Sequence, residues 1–179
     1  MKYESIADIY SANQKIDDGF QSLLATISDA DAHAEIPGEK WTIAALVEHV
    51  AIVEFNMAKI CAKLAAAAKE SGKASDGTFA VSSNFAEKSV EIADVKLDAP
   101  EMVHPIGGVP IAESIEKLKA SNADLEALRP VIESFDVSGS HFPHPFIGNM
   151  TAAEWLLLAG GHKMRHIRQI QNLLAKVRA

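Results

Sequence analysis

The chain has 179 residues and a mass of 19.2 kDa, which is the size of one ordinary domain and too short for two enzyme domains. Its net charge of -7 and isoelectric point near 5.5 would repel a phosphate backbone, so we expect no nucleic-acid partner. The apolar runs are far shorter than the roughly 20 residues that a membrane span requires, so we expect no membrane partner.

The first residues and the cysteine content indicate the compartment. Glu4 stands where a signal peptide would be basic or apolar, and Cys61 is the only cysteine, so no internal disulfide can form. We therefore expect a cytoplasmic protein. An alanine-rich sequence with only 6% aromatic residues favours helices over strands, which predicts the all-α class.

The first amphipathic stretch begins after Ser5, which can cap a helix together with Asp8 three positions later. Its apolar face repeats at steps of three and four residues, the spacing of one helix side. The residues of this face are Ile6, Ile9, Asn13, Ile16, Phe20, Leu23 and Ile27.

The second stretch has Thr42 as its predicted cap and runs to about Lys69. The third begins near Pro110, a residue suited to a first helical turn, and must kink or end at Pro130, which lacks an amide donor. Each carries an apolar face at helical spacing. These faces are Ile43, Leu46, Val50, Val53, Met57, Ile60 and Leu64 in the second stretch, and Ile111, Ile115, Leu118, Asn122 and Leu125 in the third.

The last stretch opens at Thr151, with Glu154 completing a capping box, and continues to the C-terminus. Its main face consists of Trp155, Leu158, His162, His166, Gln169 and Leu173. Together the four stretches predict a four-helix bundle in a single domain, residues 1–179. About forty residues, 71–109, join helices two and three, a length that predicts a crossover between parallel helices, a substrate lid or both. Within it a short helix is expected around residues 85–92.

Two histidines on the last helix, His162 and His166, are one turn apart and therefore project from the same side. Their neighbours on that face are apolar, and isolated imidazoles buried there would lose their hydration without compensation. His49 flanks the buried face of helix two and is a candidate third ligand. Three neutral imidazoles would leave a divalent ion an open position, whereas the alternative interpretation is three core-edge histidines bonded to backbone or water.

Several short motifs occur toward both ends of the chain: Trp41-Thr42, His49, His144-Pro145, Gly148, Thr151, Glu154-Trp155, the His162 to His166 pair and Gln169-Ile170. Together they resemble the DinB-like superfamily of metal-binding four-helix bundles. The resemblance implies that His49, His162 and His166 bind a divalent metal, zinc or nickel, and that the protein forms a homodimer. Members of that superfamily include bacillithiol transferases and mycothiol-dependent maleylpyruvate isomerase. The resemblance does not extend to residues 71–109.

A metal held by three neutral ligands would lower the pKa of a low-molecular-weight thiol and hold the thiolate as a nucleophile. The sequence therefore predicts a thiol-dependent S-transferase or isomerase that acts on a small electrophilic molecule. Lys163 stands where thermolysin-like proteases carry their catalytic glutamate, which disfavours peptide hydrolysis. The alternative is a noncatalytic metal-binding or dimerising bundle of the stress response. No catalytic residue is assigned beyond the metal centre.

Gln169 and His144 each have two interpretations. Gln169 could support a ligand or substrate, although buried amides more often pair with each other or with water. His144 lies in the loop before the last helix, where we expect an exposed side chain.

Overall fold

The computed structural model describes residues 3–93, 95 and 97–179. Its long helices are α1 (Ile6–Leu24), α3 (Ile43–Ser71), α5 (Ile111–Ala127) and α7 (Ala152–Val177). The shorter elements are α2 (Asp29–His33), α4 (Ser83–Ala93), a 3-10 turn (Glu101–Val103), α6 (Arg129–Ser134) and the strands β1 (Phe142–His144) and β2 (Gly148–Met150). None of the described helices has the length and apolar character that crossing a bilayer would require.

The predicted helix starts are confirmed by the caps that the structure shows. Ser5 and Asp8 form a reciprocal capping box at α1, and Thr151 and Glu154 form one at α7. The Thr42 side chain accepts a hydrogen bond from the backbone of the first turn of α3. Local side-chain chemistry therefore sets where three of the four long helices begin.

The long helices form a four-helix bundle in which α3 and α5 are parallel neighbours. One apolar cluster joins the start of α1, the second half of α3, the end of α5 and the start of α7. A second cluster joins the opposite ends of the same helices. This pairing makes α1 and α7 parallel to each other and antiparallel to α3 and α5. The connection between α3 and α5 is thus the predicted crossover.

Polar side chains lie between the two apolar clusters. Toward the middle of the bundle each long helix contributes a polar residue that is at least partly buried. The members of this layer are Asn13 and Asp17 on α1, His49 and Glu54 on α3, Asn122 on α5, and His162, Lys163 and His166 on α7. Because buried polar groups require partners, this layer is where the fold must be explained by specific contacts.

The structure refines the sequence prediction at three places. Pro110 is the residue before α5 and not part of its first turn. Pro130 lies in the first turn of α6, so the predicted break after α5 is confirmed. The short β-hairpin of β1 and β2 was not predicted, because its strands have only three residues each.

The crossover connection contains the expected short helix, α4, and is fastened to the bundle at several points. Ser82 N donates a hydrogen bond to Glu154 Oε1 over 2.8 Å. Arg165 of α7 donates to the Ile92 carbonyl oxygen at the end of α4 over 3.0 Å. The 3-10 turn packs on α3. The connection therefore lies against the two helices that carry the candidate ligands.

Candidate metal centre

The three predicted ligands, His49 of α3 and His162 and His166 of α7, come together in the structure. One ring nitrogen of each lies within 4.8 Å of the others, and within the described residues this is the single cluster of histidine, cysteine or carboxylate side chains compact enough to hold a metal ion. The ring centres of His162 and His166 are 4.4 Å apart, and that of His49 is 5.4 Å from the first and 5.1 Å from the second. The i, i+4 spacing on α7 has thus paired the two rings as expected.

Hydrogen bonds fix which nitrogen His49 and His166 present to the cluster. His49 Nδ1 lies 2.7 Å from the Val103 carbonyl oxygen, which can only accept, so Nδ1 carries the proton. His166 Nδ1 lies 3.0 Å from Gln169 Oε1 and donates to it in the same way. Each Nε2 lone pair is therefore available. Gln169 orients a candidate ligand, one of the two roles considered for it.

His162 completes the cluster with a different set of contacts. Its Nε2 is 3.1 Å from His166 Nε2, whereas its buried Nδ1 has no hydrogen-bond partner in the described part of the chain. Since His166 Nε2 carries no proton, His162 Nε2 donates the hydrogen bond between them in the metal-free protein. If a cation took the place of that proton, all three Nε2 atoms could act as its ligands.

Burial keeps the cluster uncharged. Desolvation, with a smaller contribution from the nearby His49, lowers the pKa of His166 to about 3, although the Gln169 hydrogen bond opposes the shift. Desolvation also lowers the pKa of His49, and it lowers that of His162 well below the ordinary value, with His166 and His49 adding to the effect. Neutral imidazole is the protonation state that binds a metal, so the cluster is ready to coordinate at neutral pH.

The surroundings of His49 include residues from the crossover that sequence reasoning missed. The Trp41 ring lies 5.0 Å from the ring of His49 and 5.8 Å, edge-on, from that of His104. His104 Nε2 in turn lies 2.8 Å from the Ala99 carbonyl oxygen. Trp41 therefore forms an aromatic wall beside the cluster.

Glu48, the residue before His49, is also missing from the sequence prediction. Its buried carboxylate accepts hydrogen bonds from Ile106 N at 2.9 Å and Gly107 N at 3.2 Å. A glutamate beside an apolar helix face gives no pattern from which a loop 58 residues away could be identified as its partner. Only the folded arrangement shows that Glu48 and His49 hold the same segment.

His144 does not join the cluster, and the expectation of an exposed loop side chain is wrong. Its ring is partly buried against Trp155, with ring centres 5.4 Å apart. Its Nδ1 accepts hydrogen bonds from Phe146 N and Ile147 N, each with a length of 3.3 Å. His144 thus stabilises the turn between β1 and β2, and burial lowers its pKa.

Lys163, adjacent to His162, is committed to a separate buried cluster. Its Nζ lies 2.8 Å from Asp17 Oδ1, 3.1 Å from Glu54 Oε2 and 3.2 Å from Asn122 Oδ1. These partners come from α1, α3 and α5, so one ammonium group joins all four long helices. Lys163, at the position where thermolysin-like proteases carry their glutamate, therefore links the helices of the bundle through ion pairs and a hydrogen bond.

The donor set fits a divalent transition metal. Zinc binds imidazole nitrogen at about 2.0–2.1 Å, so two nitrogens of one ion lie at most about 4.2 Å apart. The 3.1 Å pair on α7 meets this limit, and the widest separation in the cluster, at most 4.8 Å, requires a shift of a few tenths of an ångström. A ligating histidine usually donates a hydrogen bond from its Nδ1 at such sites, and His49 and His166 both do so.

Comparison with known families agrees with this geometry. The model of the DinB superfamily matches residues 15–170, which include all three clustered histidines. The chain belongs to the DinB superfamily. The matched residues include most of the four-helix bundle and the whole crossover between α3 and α5.

A solved structure supports the fold independently. The chain is similar to the crystal structure of TT2238, described as a four-helix bundle protein, with 20% sequence identity and a TM-score of 0.63. The similarity covers 94% of this chain and 99% of that one. At this identity the likeness establishes the architecture alone. None of the curated proteins matches the chain significantly.

Proposed function

We propose that this DinB superfamily member is a divalent-metal-dependent enzyme that joins a low-molecular-weight thiol to a small electrophilic molecule. The observation that carries the proposal is the convergence of three neutral imidazoles, from His49, His162 and His166, on one point between α3 and α7. In this proposal the three histidines are the metal ligands, and zinc or nickel suits their nitrogen donors.

A divalent cation bound there would keep its full positive charge, leave a coordination position free and lower the pKa of a thiol. Within the compact cluster of the described residues no carboxylate or cysteine would offset this charge. The resulting chemistry would be nucleophilic attack by a thiolate, in which a carbon–sulfur bond forms. In a substitution the bond to the leaving group breaks and that group takes its electron pair; in an addition a π bond of the electrophile breaks and its electron pair moves to a neighbouring atom, which takes a proton from water.

The chain's own residues position the reactants. Val103 O and Gln169 Oε1 keep the protons of His49 and His166 on Nδ1, away from the centre. The Trp41 ring shields one side of His49 from water. Lys163 is not available as a general base, because its ammonium group is held by Asp17 and Glu54. The thiol proton would thus pass to water or buffer.

One observation favours the alternative of a noncatalytic metal-binding bundle. His49 and His166 are only 3% and 7% exposed, and a closed site with few routes for a substrate suits a structural ion. In that case the metal would tie α3 to α7 and contribute only stability.

The test uses protein purified without an affinity tag, loaded with zinc or nickel and incubated with each of several bacterial thiols. The electrophiles would be 1-chloro-2,4-dinitrobenzene, an epoxide and an α,β-unsaturated dicarboxylic acid, with thioether or isomerised product measured by mass spectrometry. We expect at least one thiol to react in a metal-dependent way. His166→Ala should lose both the metal and the reaction, whereas His33→Ala, exposed on α2, should keep both. Metal-loaded protein that is inactive with every pair would favour the noncatalytic alternative.

A further inference from the structure

Residues 101–107 of the crossover, here called the strap, lie beside His49 and contact α3 through two consecutive residues of that helix. The Glu48 carboxylate accepts hydrogen bonds from the backbone amides of Ile106 and Gly107, and His49 Nδ1 donates one to the Val103 carbonyl oxygen. Neighbouring residues of one helical turn thus hold the strap at its middle, Val103, and at its end, Ile106 and Gly107.

Hydrogen bonds carry much of the attachment of the strap, because two of its large apolar side chains face solvent. Met102 is 84% exposed and Ile106 is 88% exposed. Burial of apolar area therefore contributes little to holding these residues in place. Gly107 and Gly108, with φ angles of +83° and +72°, add backbone freedom just beyond the contact.

Glu48 is suited to hold such a segment. It is only 4% exposed, and a buried carboxylate is costly unless hydrogen bonds satisfy it. Backbone amides that donate to a carboxylate form hydrogen bonds roughly twice as strong as those between neutral groups. The burial of Glu48 and the position of the strap therefore depend on each other.

We propose that Glu48 is a positioning residue of the metal centre: by binding the Ile106 and Gly107 amides it holds the Val103 carbonyl where it orients His49. The inference rests on the proposed metal site, but the orientation of His49 is a property of the protein with or without metal. Glu48 acts through the strap and does not touch the metal or a substrate.

The experiment compares Glu48→Gln and Glu48→Ala with Glu101→Gln, a control at an exposed glutamate of the same strap. Glutamine retains one acceptor oxygen and alanine retains none. Circular dichroism first establishes that each variant is folded under the conditions used. Zinc affinity is then measured by competition with a chromophoric chelator, and the His49 tautomer in metal-free protein is measured by NMR of ¹⁵N-labelled histidine.

We expect Glu48→Ala to weaken zinc binding by about 10- to 100-fold, the range typical of a lost partner behind a ligand, and Glu48→Gln to fall between it and the wild type. We also expect His49 to hold its proton on Nδ1 in the wild type and to mix tautomers in Glu48→Ala. Glu101→Gln should match the wild type in both measurements. A change of global stability alone would not alter the tautomer of a folded protein.

The two measurements separate the two proposals. Zinc affinity in Glu48→Ala within twofold of the wild type, or an unchanged His49 tautomer, would overturn the role of Glu48. Failure of the wild type to bind zinc or nickel would overturn the metal site instead. In that case the tautomer alone decides whether Glu48 orients His49 through the strap.

Discussion

Two buried polar clusters lie side by side in the middle of this bundle and differ in charge. Around Lys163, a cation is already enclosed by the carboxylates of Asp17 and Glu54. Around His162, three imidazoles face one another, and burial keeps their pKa values low enough for all to be neutral. The first cluster contains its own cation, whereas the second consists of nitrogen donors alone. The charges of the first cluster are balanced within the fold, whereas the second offers nitrogen lone pairs that a cation could bind.

The lysine cluster should produce the largest effect on stability. Lys163→Met removes the cation from Asp17 and Glu54, and breaking a buried ion pair in this way costs about 3–5 kcal/mol of the free energy of unfolding. Chemical denaturation in the presence of a metal chelator measures this cost. Lys117→Met, which breaks the exposed pair with Glu113, should cost at most about 1 kcal/mol. Equal effects of the two substitutions would show that the buried cluster does not contribute as an ion pair.

The same cluster should make stability depend on pH. Burial raises the pKa of Glu54 from 4.5 to about 7, although Lys163 opposes the shift. The folded protein therefore keeps this proton to higher pH than the unfolded chain does, and the free energy of unfolding falls as the pH rises through that interval.

Glu54→Gln removes this titration, so its stability relative to the wild type should rise by about 2–3 kcal/mol between pH 4.5 and pH 7 and stay constant above. Urea denaturation of metal-free protein at several pH values measures the difference. Glu70→Gln, at an exposed position of the same helix, should show no such trend. A parallel pH dependence in Glu54→Gln and wild type would contradict the prediction.

The histidine cluster should instead respond in metal affinity. His166→Ala is expected to weaken zinc binding by at least about 100-fold, which corresponds to about 2.7 kcal/mol, because it removes one of three ligands. Removing an exposed imidazole in His33→Ala should leave the affinity unchanged. Calorimetric titration of tag-free protein with zinc distinguishes the two. Unchanged binding in His166→Ala would remove this residue from the site.

A smaller effect is expected where α1 and α7 meet beside the lysine cluster. Asn13 Nδ2 donates to the Leu156 carbonyl oxygen over 2.9 Å, and a Cβ atom added at Gly160 would overlap Asn13 Oδ1. Gly160→Ala should therefore cost about 1–3 kcal/mol, as overpacking does in a tight interior. At Gly161, where an added Cβ would meet no atom within 4 Å beyond its chain neighbours and the backbone of its own helix, alanine should stabilise the helix by up to about 1 kcal/mol. Thermal denaturation of both variants measures the contrast, and similar shifts in the two would contradict it.

The sequence predicted the parts of the molecule that local patterns determine. Apolar spacing and caps such as Ser5 and Thr151 defined the long helices, and the spacing of His162 and His166 defined half of the candidate site. The short hairpin after α6 was missed, because strands of three residues have no periodicity to detect. Local pattern was sufficient wherever the deciding contacts lie within one or two turns.

The remaining features depend on contacts between distant residues. Lys163 and Asp17 are 146 positions apart, and Glu48 meets Gly107 across 59 positions. Lys163 and Glu48 therefore show in sequence only as charges beside apolar faces, a pattern shared with many solvent-exposed residues. The role of Gln169, in contrast, follows from its position three residues after His166.

An X-ray structure of tag-free protein crystallised with zinc, with anomalous diffraction measured on both sides of the zinc absorption edge, shows directly whether the three histidines share one metal ion. We expect one strong peak among the Nε2 atoms of His49, His162 and His166. A structure without a peak there, or one in which these rings are turned apart while zinc binds elsewhere, would contradict it.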